Sequence, residues 1–438
     1  MLGAMLLGRY VRAVLVMRLL YSLVLYLAVP VLLLRLLWRA RRAPAYARRW
    51  GERFGWVAPL ATDKTVIWLH TVSVGEFLGA LPLIRALMQD PERLLLITTT
   101  TPTGSERVRQ TLGRQVVHVY APYDLPGSVE RFLQRVQPRV LLIMETELWP
   151  NTLAACARWE IPTLLINGRL SERSARGYAR VGALTRPMLQ ALTEAGLQSR
   201  ADAERFQTLG LRPEATHITG NIKFDLSLEQ ALRDKAARLR QAWSRDGKRP
   251  IWIAASTHKG EDELILSAYV QARVQLDVNP LLVLVPRHPE RFEVVAQLCR
   301  DRELTLVRRS EGASPEESVQ VLLGDTMGEL LLLLGTGDVV FVGGSLMPRG
   351  GHNLIEPAVW GLPLLSGPSL YNFAEVSRLL REAGALTLVD SQTALAEAWV
   401  TLTKARALRK RQGQASLAVT QQNTGAMEKT LAMIDRYT

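Results

Sequence analysis

The sequence predicts an α/β protein: two doubly wound domains behind an N-terminal membrane anchor. Three observations carry this. Short apolar runs alternate with amphipathic stretches in two successive sets, a rhythm that belongs to parallel sheets covered by helices on both faces. A polar helical stretch over 225–250, ending in Arg245-Asp-Gly-Lys-Arg-Pro250, separates the sets and reads as a linker. The first fifty residues instead combine an uncharged apolar run with a collar of arginines. The 438 residues accommodate two to three domains of roughly 100–200 residues each. With 48% hydrophobic and 22% charged residues, a disordered chain is excluded. The two cysteines, Cys156 and Cys299, match no zinc-ligand spacing and form no disulfide framework.

The anchor comes first. Residues 19–34 carry no charge, with Arg18 before them and Arg35 after. A spanning helix needs about 20 apolar residues, within a range of roughly 17–25, so this run is short unless both arginines snorkel. Pro30 is expected to kink it. A cleaved signal peptide fits poorly, because arginines follow where small cleavage-site residues belong. A buried core helix fits poorly too, because a soluble core offers few acids to so many flanking arginines. A single span and a helix lying in the interface both remain open. The formal charge is +13, but residues 1–53 alone hold ten arginines against one acid, a net +9. The other 385 residues carry 44 basic and 40 acidic side chains, a net +4. The charge therefore points to a membrane surface and not to nucleic acid. The denser basic cluster follows the apolar run, which by the positive-inside bias puts the rest of the chain on the cytoplasmic side.

In the first set, strands are expected at 66–70, 94–98, 140–144 and 163–166, with helices at 77–88, 104–112 and 127–135. In the second, strands are expected at 251–255, 281–285, 339–343 and 363–365, with helices at 261–274, 289–302, 353–360 and 372–383. The last thirty residues read as helical and polar. The expected domains are an anchor and collar over 1–42, one domain over 43–225 and another over 226–438.

Open α/β sheets bind ligands beyond the carboxyl ends of their strands, so the loops there are the places to inspect. His70-Thr-Val-Ser-Val-Gly-Glu76 ends a strand and opens a helix. Glu76 is either aimed at a ligand or simply an acid favoured by the helix dipole, and His70 reads as a packing residue. Met144-Glu-Thr-Glu-Leu-Trp-Pro-Asn151 puts Glu145 and Glu147 after a buried strand, as site acids or as the start of a helix at Pro150. In Thr219-Gly-Asn-Ile-Lys-Phe-Asp225, Lys223 is an anion ligand or a solvated hinge residue. The second set offers Pro286-Arg-His-Pro-Glu-Arg291, Asp325-Thr-Met-Gly-Glu329, and Phe341-Val-Gly-Gly-Ser345 running into Arg349-Gly-Gly-His-Asn353. There the glycines and a helix start near Asn353 suit a phosphate, and Glu356 suits a ribose diol. The spacing is neither a Walker A loop nor a GxGxxG fingerprint.

Taken together, HTVSVGE, TTTTPTGSERV, YAPYDLPG, METELWPN, LSERSARGY, TGNIKFD, VPRHPERF, GDTMGEL and FVGGSLMPRGGHN resemble, in order, the motifs of the bacterial transferases of 3-deoxy-D-manno-octulosonic acid (Kdo). The resemblance runs from the anchor to about Phe373. It implies a GT-B glycosyltransferase, two Rossmann-like domains with an interdomain cleft plus the anchor, at the bacterial inner membrane. The 43–225 domain would hold the acceptor and the 226–438 domain the CMP-sugar. The implied donor is CMP-Kdo and the implied acceptor is lipid IVA, the lipid A precursor, with membrane lipid as a further partner and no cofactor or metal for the transfer. By motif, Glu76 is implied as general base, with Glu145 and Lys223 acting at the transition state. CMP is implied to meet Pro286 and Arg287, then Met327, Gly328 and Glu329, then Asn353, Leu354, Ile355 and Glu356. The stretch HNLIEPAVWGLP is one version of a variable segment. A GT-B transferase using a UDP-sugar, and a tethered scaffold without catalysis, are the competing readings; nucleotide preference and a turnover assay separate them.

Overall fold

The computed structural model describes residues 2–41 and 43–438. Of the arginine collar, Arg42 and the side chains of Arg9 and Arg12 lie outside the described residues. The chain forms two compact units. One comprises the chain up to Ile222 together with Thr424–Thr438, the other Lys223–Asn423.

The first unit holds β1 (Thr65–His70), β2 (Arg93–Thr99), β3 (Val117–Tyr120), β4 (Val140–Met144), β5 (Thr163–Gly168), β6 (Glu194–Leu197) and β7 (Thr216–Ile218). They form one parallel sheet in the order β3-β2-β1-β4-β5-β6-β7. The second holds β8 (Ile251–Thr257), β9 (Leu281–Pro286), β10 (Leu306–Arg308), β11 (Val321–Leu323), β12 (Val339–Val342), β13 (Leu364–Ser366) and β14 (Leu386–Leu388). Their order is β10-β11-β9-β8-β12-β13-β14, again all parallel. Strand periodicity builds the cores. Trp68, Leu141 and Leu165 enter the core on one face of the first sheet, and Ile67, Leu69, Leu142 and Ile166 enter the other. In the second sheet Ile251, Ile253 and Val340 face one way, and Trp252, Ala254 and Phe341 the other.

Eight of the fourteen strands stand where the apolar runs put them. The six others, β3, β6, β7, β10, β11 and β14, have three or four residues each. β3, β7 and β10 are also only partly covered, so they carry little apolar signal. Two boundaries change. The expected linker contains the helix Gln230–Ser244, whose Ala236 and Trp243 are buried and whose Arg240 pairs with Asp338 at 2.7 Å. It is an integral part of the second unit. The C-terminal helix Ala426–Ile434 packs in the first unit, where Ala426, Met433 and Ile434 join the core of Ile67 and Phe77. The domain expected over 226–438 therefore lacks its last fifteen residues, 424–438.

Leu2–Ala40 is one helix that runs through Pro30, where the sequence suggested a kink. Its Val14–Ala40 portion is long and apolar enough to cross a membrane. The covered positions recur at helical spacing: Val14, Met17, Arg18, Tyr21, Ser22, Leu25, Val29, Leu32 and Leu36. The opposite face exposes Leu19, Val24, Leu27, Val31 and Leu34, each between 59% and 70% accessible. The covered face is bonded to the first unit. The Tyr21 hydroxyl donates to Asp124 Oδ2 at 3.0 Å, and Asn151 Nδ2 donates to Ser22 Oγ at 3.0 Å.

Candidate functional site

A doubly wound sheet has one place where consecutive connections leave in opposite directions, opening a crevice at the carboxyl ends of two strands. In the first sheet this lies between β1 and β4. The loop after β1 carries Glu76, and the loop after β4 carries Glu145 and Glu147. In the second sheet it lies between β8 and β12. The loop after β8 carries His258, and the loop after β12 leads to Arg349 and His352.

Glu76 sits in the first turn of the helix Val74–Leu87, capped by Ser73, whose Oγ accepts from the Glu76 N–H at 3.2 Å. The Glu76 carboxylate turns back, taking the Val72 N–H at 2.8 Å and the Ser73 hydroxyl at 3.0 Å. Burial pushes its pKa up from 4.5 to about 7; nearby Glu147 and Glu145 add to the rise, and the Val72 and Ser73 hydrogen bonds oppose it. A carboxylate poised there is matched to taking a proton near neutral pH. Burial also raises Glu147.

Glu145 differs. Its backbone is left-handed at φ 59°, a conformation that costs a non-glycine residue about 1–3 kcal/mol. Its carboxylate accepts from Arg169 Nε at 2.9 Å. The strain sits at the tip of β4, next to the helix Pro150–Arg158. Asp124 caps that helix from a distance, accepting from the Asn151 N–H at 3.0 Å and the Thr152 N–H at 2.7 Å. His70 is a packing residue: it is buried, its Nδ1 lies 2.9 Å from Thr98 Oγ1, and burial lowers its pKa to about 4. Lys223 lies in the turn Ile222–Asp225 where the second unit begins, with its ammonium 6.0 Å from the centre of the Phe373 ring.

In the second unit, Pro286 ends β9 and Arg287 follows it into solvent, its N–H fixed by the Thr257 carbonyl at 3.0 Å. Glu356 is mostly buried and accepts from Asn353 Nδ2 at 3.0 Å, while Asn353 Oδ1 takes the Ile355 N–H at 3.0 Å. Burial raises the Glu356 pKa, against the Asn353 hydrogen bond and the charge of Arg287. Leu354 and Ile355 have no exposed side-chain surface and belong to the core, so only their backbone is available to a ligand. The helix there is short, Ile355–Val359. Met327 is exposed, Gly328 is left-handed at φ 86°, and Glu329 is held by Arg309 through two bonds of 3.0 Å.

The glycine loop corrects the sequence reading. Its N–H groups do not face a ligand. The fully buried Glu261 carboxylate takes the N–H groups of Gly344, Ser345 and Leu346 at 2.7, 2.8 and 2.9 Å, and that of His258 at 3.1 Å. Gly343, Gly350 and Gly351 donate to Ala255, Ser369 and Gly344. The glycines are needed for close packing instead. At Gly344, left-handed at φ 70°, a Cβ would lie 2.8 Å from the His352 ring. Attraction for an anion falls to side chains. His258 and His352 stack with ring centres 4.9 Å apart and Nε2 atoms 2.7 Å apart, and His288 lies 5.1 Å from His258. Burial lowers His352 to about 4, helped by His258, Arg287, His288 and Arg349, and burial lowers His258 as well, so this stacked pair is held toward the neutral form beside Arg287 and Arg349. The sequence reading missed Glu261, His258 and His352. Glu261 looks like one of three ordinary first-turn acids, Glu261, Asp262 and Glu263.

The family model for 3-deoxy-D-manno-octulosonic-acid transferase (kdotransferase) matches residues 48–226. The 3-deoxy-D-manno-octulosonic acid transferase of Haemophilus influenzae is 42% identical over 96% of this chain and 98% of its own length. The chain belongs to the Kdo transferase family. Its Bordetella pertussis relative of the same description is 37% identical over 95% of this chain and 98% of its own length. A glycosyltransferase structure from Rickettsia africae, at 11% identity, covers 86% of this chain and 99% of its own with a TM-score of 0.57, which identifies the GT-B fold. The activity is thus a glycosyl transfer, the transfer of Kdo in lipopolysaccharide synthesis.

Proposed function

We propose that this Kdo transferase moves Kdo from CMP-Kdo to lipid IVA with inversion. The observation that carries the reading is Glu76: a carboxylate at the crevice of the first sheet, held by two hydrogen bonds and raised to about 7. A sugar hydroxyl of the acceptor must lose its proton as it attacks the anomeric carbon, and a base with that pKa takes it. The bond from the anomeric carbon to the phosphate oxygen breaks as the new glycosidic bond forms, and CMP departs as an anion. A single displacement of this kind inverts the anomeric centre. Arg287, with Arg349 beside the His258–His352 pair, suits the charge of the leaving nucleotide. Pro286 sets the position of Arg287. Met327, Gly328, Glu329, Asn353 and Glu356 are the proposed side of the CMP site, with Leu354 and Ile355 contributing backbone only. Glu145 is the proposed partner of the oxocarbenium-like centre, where a fixed carboxylate helps, and Lys223 of the negative charge that develops on the departing phosphate.

The N-terminal helix supports a membrane-seated enzyme. Its covered stripe touches the first unit from Val14 to Leu36, about 33 Å of helix axis. A spanning helix would have to carry that whole stripe through the roughly 30 Å hydrocarbon core, away from the unit it contacts. A helix docked so far along a folded domain lies in the interface with its apolar face in lipid, and the arginine collar sets the cytoplasmic side. The test is incubation of the pure protein with CMP-Kdo and lipid IVA, followed by mass spectrometry of the lipid. The lipid is expected to gain the mass of Kdo. No gain, or a gain only from a UDP-sugar, overturns the reading.

A further inference from the structure

Beside the N-terminal helix the first unit has a cavity of about 400 Å³. Its walls are three helices: Leu2–Ala40, Pro150–Arg158 and Gly182–Gln190. The lining is small and apolar. Ala154, Ala157 and Ala183 are too small to fill the space between the helices, and Val14, Leu184 and Met188 complete the walls. Arg18 stands at the same cavity, as does Arg158, whose guanidinium is paired with Glu130 at 2.7 Å. Ala157 and Ala183 are exposed, so the hollow opens at the surface, where an apolar chain can enter it. One wall is the inner face of the helix whose opposite face exposes Leu19, Val24 and Leu27, so the cavity lies about one helix diameter, roughly 10 Å, behind the surface proposed to sit in lipid. Pro150, which also lines it, is three residues from Glu147 and starts the helix that follows the site loop.

We infer that this cavity takes an acyl chain of the lipid acceptor, with Arg18 turned to its phosphate. The inference rests on the proposed acceptor and deepens it. Apolar lining selects the chain, the Arg18 guanidinium selects an anionic head, and the position of Pro150 sets the sugar end of the lipid near the Glu145–Glu147 loop. The protein then recognises its acceptor partly by its tail, held where the helix Pro150–Arg158 joins the membrane-facing helix.

Ala157→Phe and Ala183→Phe test this, because both alanines are exposed and the added rings fill the cavity without entering the core. Each methylene kept out weakens binding about fourfold, from roughly 0.8 kcal/mol per buried methylene. Excluding two should raise KM for lipid IVA about fifteenfold, with kcat and the thermal midpoint unchanged. Turnover of a fully deacylated acceptor should not change. In parallel, a lipid IVA analogue with a photoreactive acyl chain should label residues within 150–158 or 183–191 of the wild type. Excess lipid IVA should compete this labelling, excess phosphatidylglycerol should not, and the variants should lose it. An unchanged KM overturns the inference, as does an equal loss on both acceptors, labelling confined to residues 19–34, or competition by phosphatidylglycerol. If the wild type transfers Kdo to neither acceptor, the proposed function falls, while the labelling still judges the cavity.

Discussion

Replacing Glu76 by glutamine is expected to make the protein more stable and almost inactive. Burial holds this carboxyl at about 7 against an ordinary 4.5. A pKa higher in the folded than in the unfolded chain means that the fold binds the proton more tightly, so ionisation costs stability. The cost is absent below about pH 4.5, grows between the two values and is complete above about pH 7. The gap between 4.5 and 7, at about 1.36 kcal/mol per pKa unit, sets an upper bound of roughly 3 kcal/mol. Partial solvent access reduces this to about 1–2 kcal/mol. Glutamine fits the same place. Its oxygen can accept from the Val72 N–H, and its amide can donate to Ser73 Oγ, the two groups that hold the native side chain. Chemical unfolding at pH 8 should show the gain, and the same measurement at pH 4 should show none. Turnover should fall by about 10²–10⁴, the usual loss of a positioned base. The wild type should lose activity as the pH falls through about 7, and the variant should lack that limb. Near-normal turnover with the acidic limb intact, or equal stability at pH 8, would refute the reasoning. Glu147, also raised by burial, would then be the next base to test.

Arg287→Ala should weaken CMP binding about 10–100-fold in calorimetry, as expected for loss of a charge-assisted bond to phosphate; unchanged affinity would remove Arg287 from the nucleotide site. Glu261→Ala leaves four N–H groups without their acceptor. It should cost about 3 kcal/mol or more in urea unfolding, since a buried unsatisfied group costs about 1–3 kcal/mol; a midpoint within error of wild type would mean that water replaces the carboxylate. Deleting residues 1–40 should leave a folded protein that binds CMP but partitions poorly to vesicles. It should also transfer more slowly in detergent, because Asn151 and Asp124 lose Ser22 and Tyr21; full activity in detergent would make the helix a tether only.

The parts of the fold legible in the sequence are those buried on both sides. β1, β4, β8 and β9 are unbroken apolar runs because helices cover both faces of each sheet. β7 and β14 have three residues and are partly exposed, so their stability comes from pairing with β6 and β13, which no local pattern reports. The candidate site follows the same rule. Glu76 and Glu145 could be singled out because each follows a legible strand. The glycine loop was misread because local sequence shows flexible N–H groups but not their acceptor. Glu261 is about eighty residues earlier in the chain, and only the adjacency of β8 and β12 brings it to Gly344. The His258–His352 pair has the same origin. That Glu145 pairs with Arg169, which follows the neighbouring strand β5, is likewise a tertiary fact.

The return of the last fifteen residues to the first unit bears on how the chain is made. A ribosome delivers the first half long before the second, and domains generally fold in that order as they emerge. Here the first half is left waiting. Its core has a gap until Ala426, Met433 and Ile434 arrive, and the Glu194 carboxylate waits for Arg436 and the Tyr437 hydroxyl, which reach it at 2.5 and 2.7 Å. The second unit, Lys223–Asn423, is contiguous and can close first. The half of the protein that is synthesised first is thus completed last. A chain that stops short of residue 424 would leave open the core of the unit that holds Glu76.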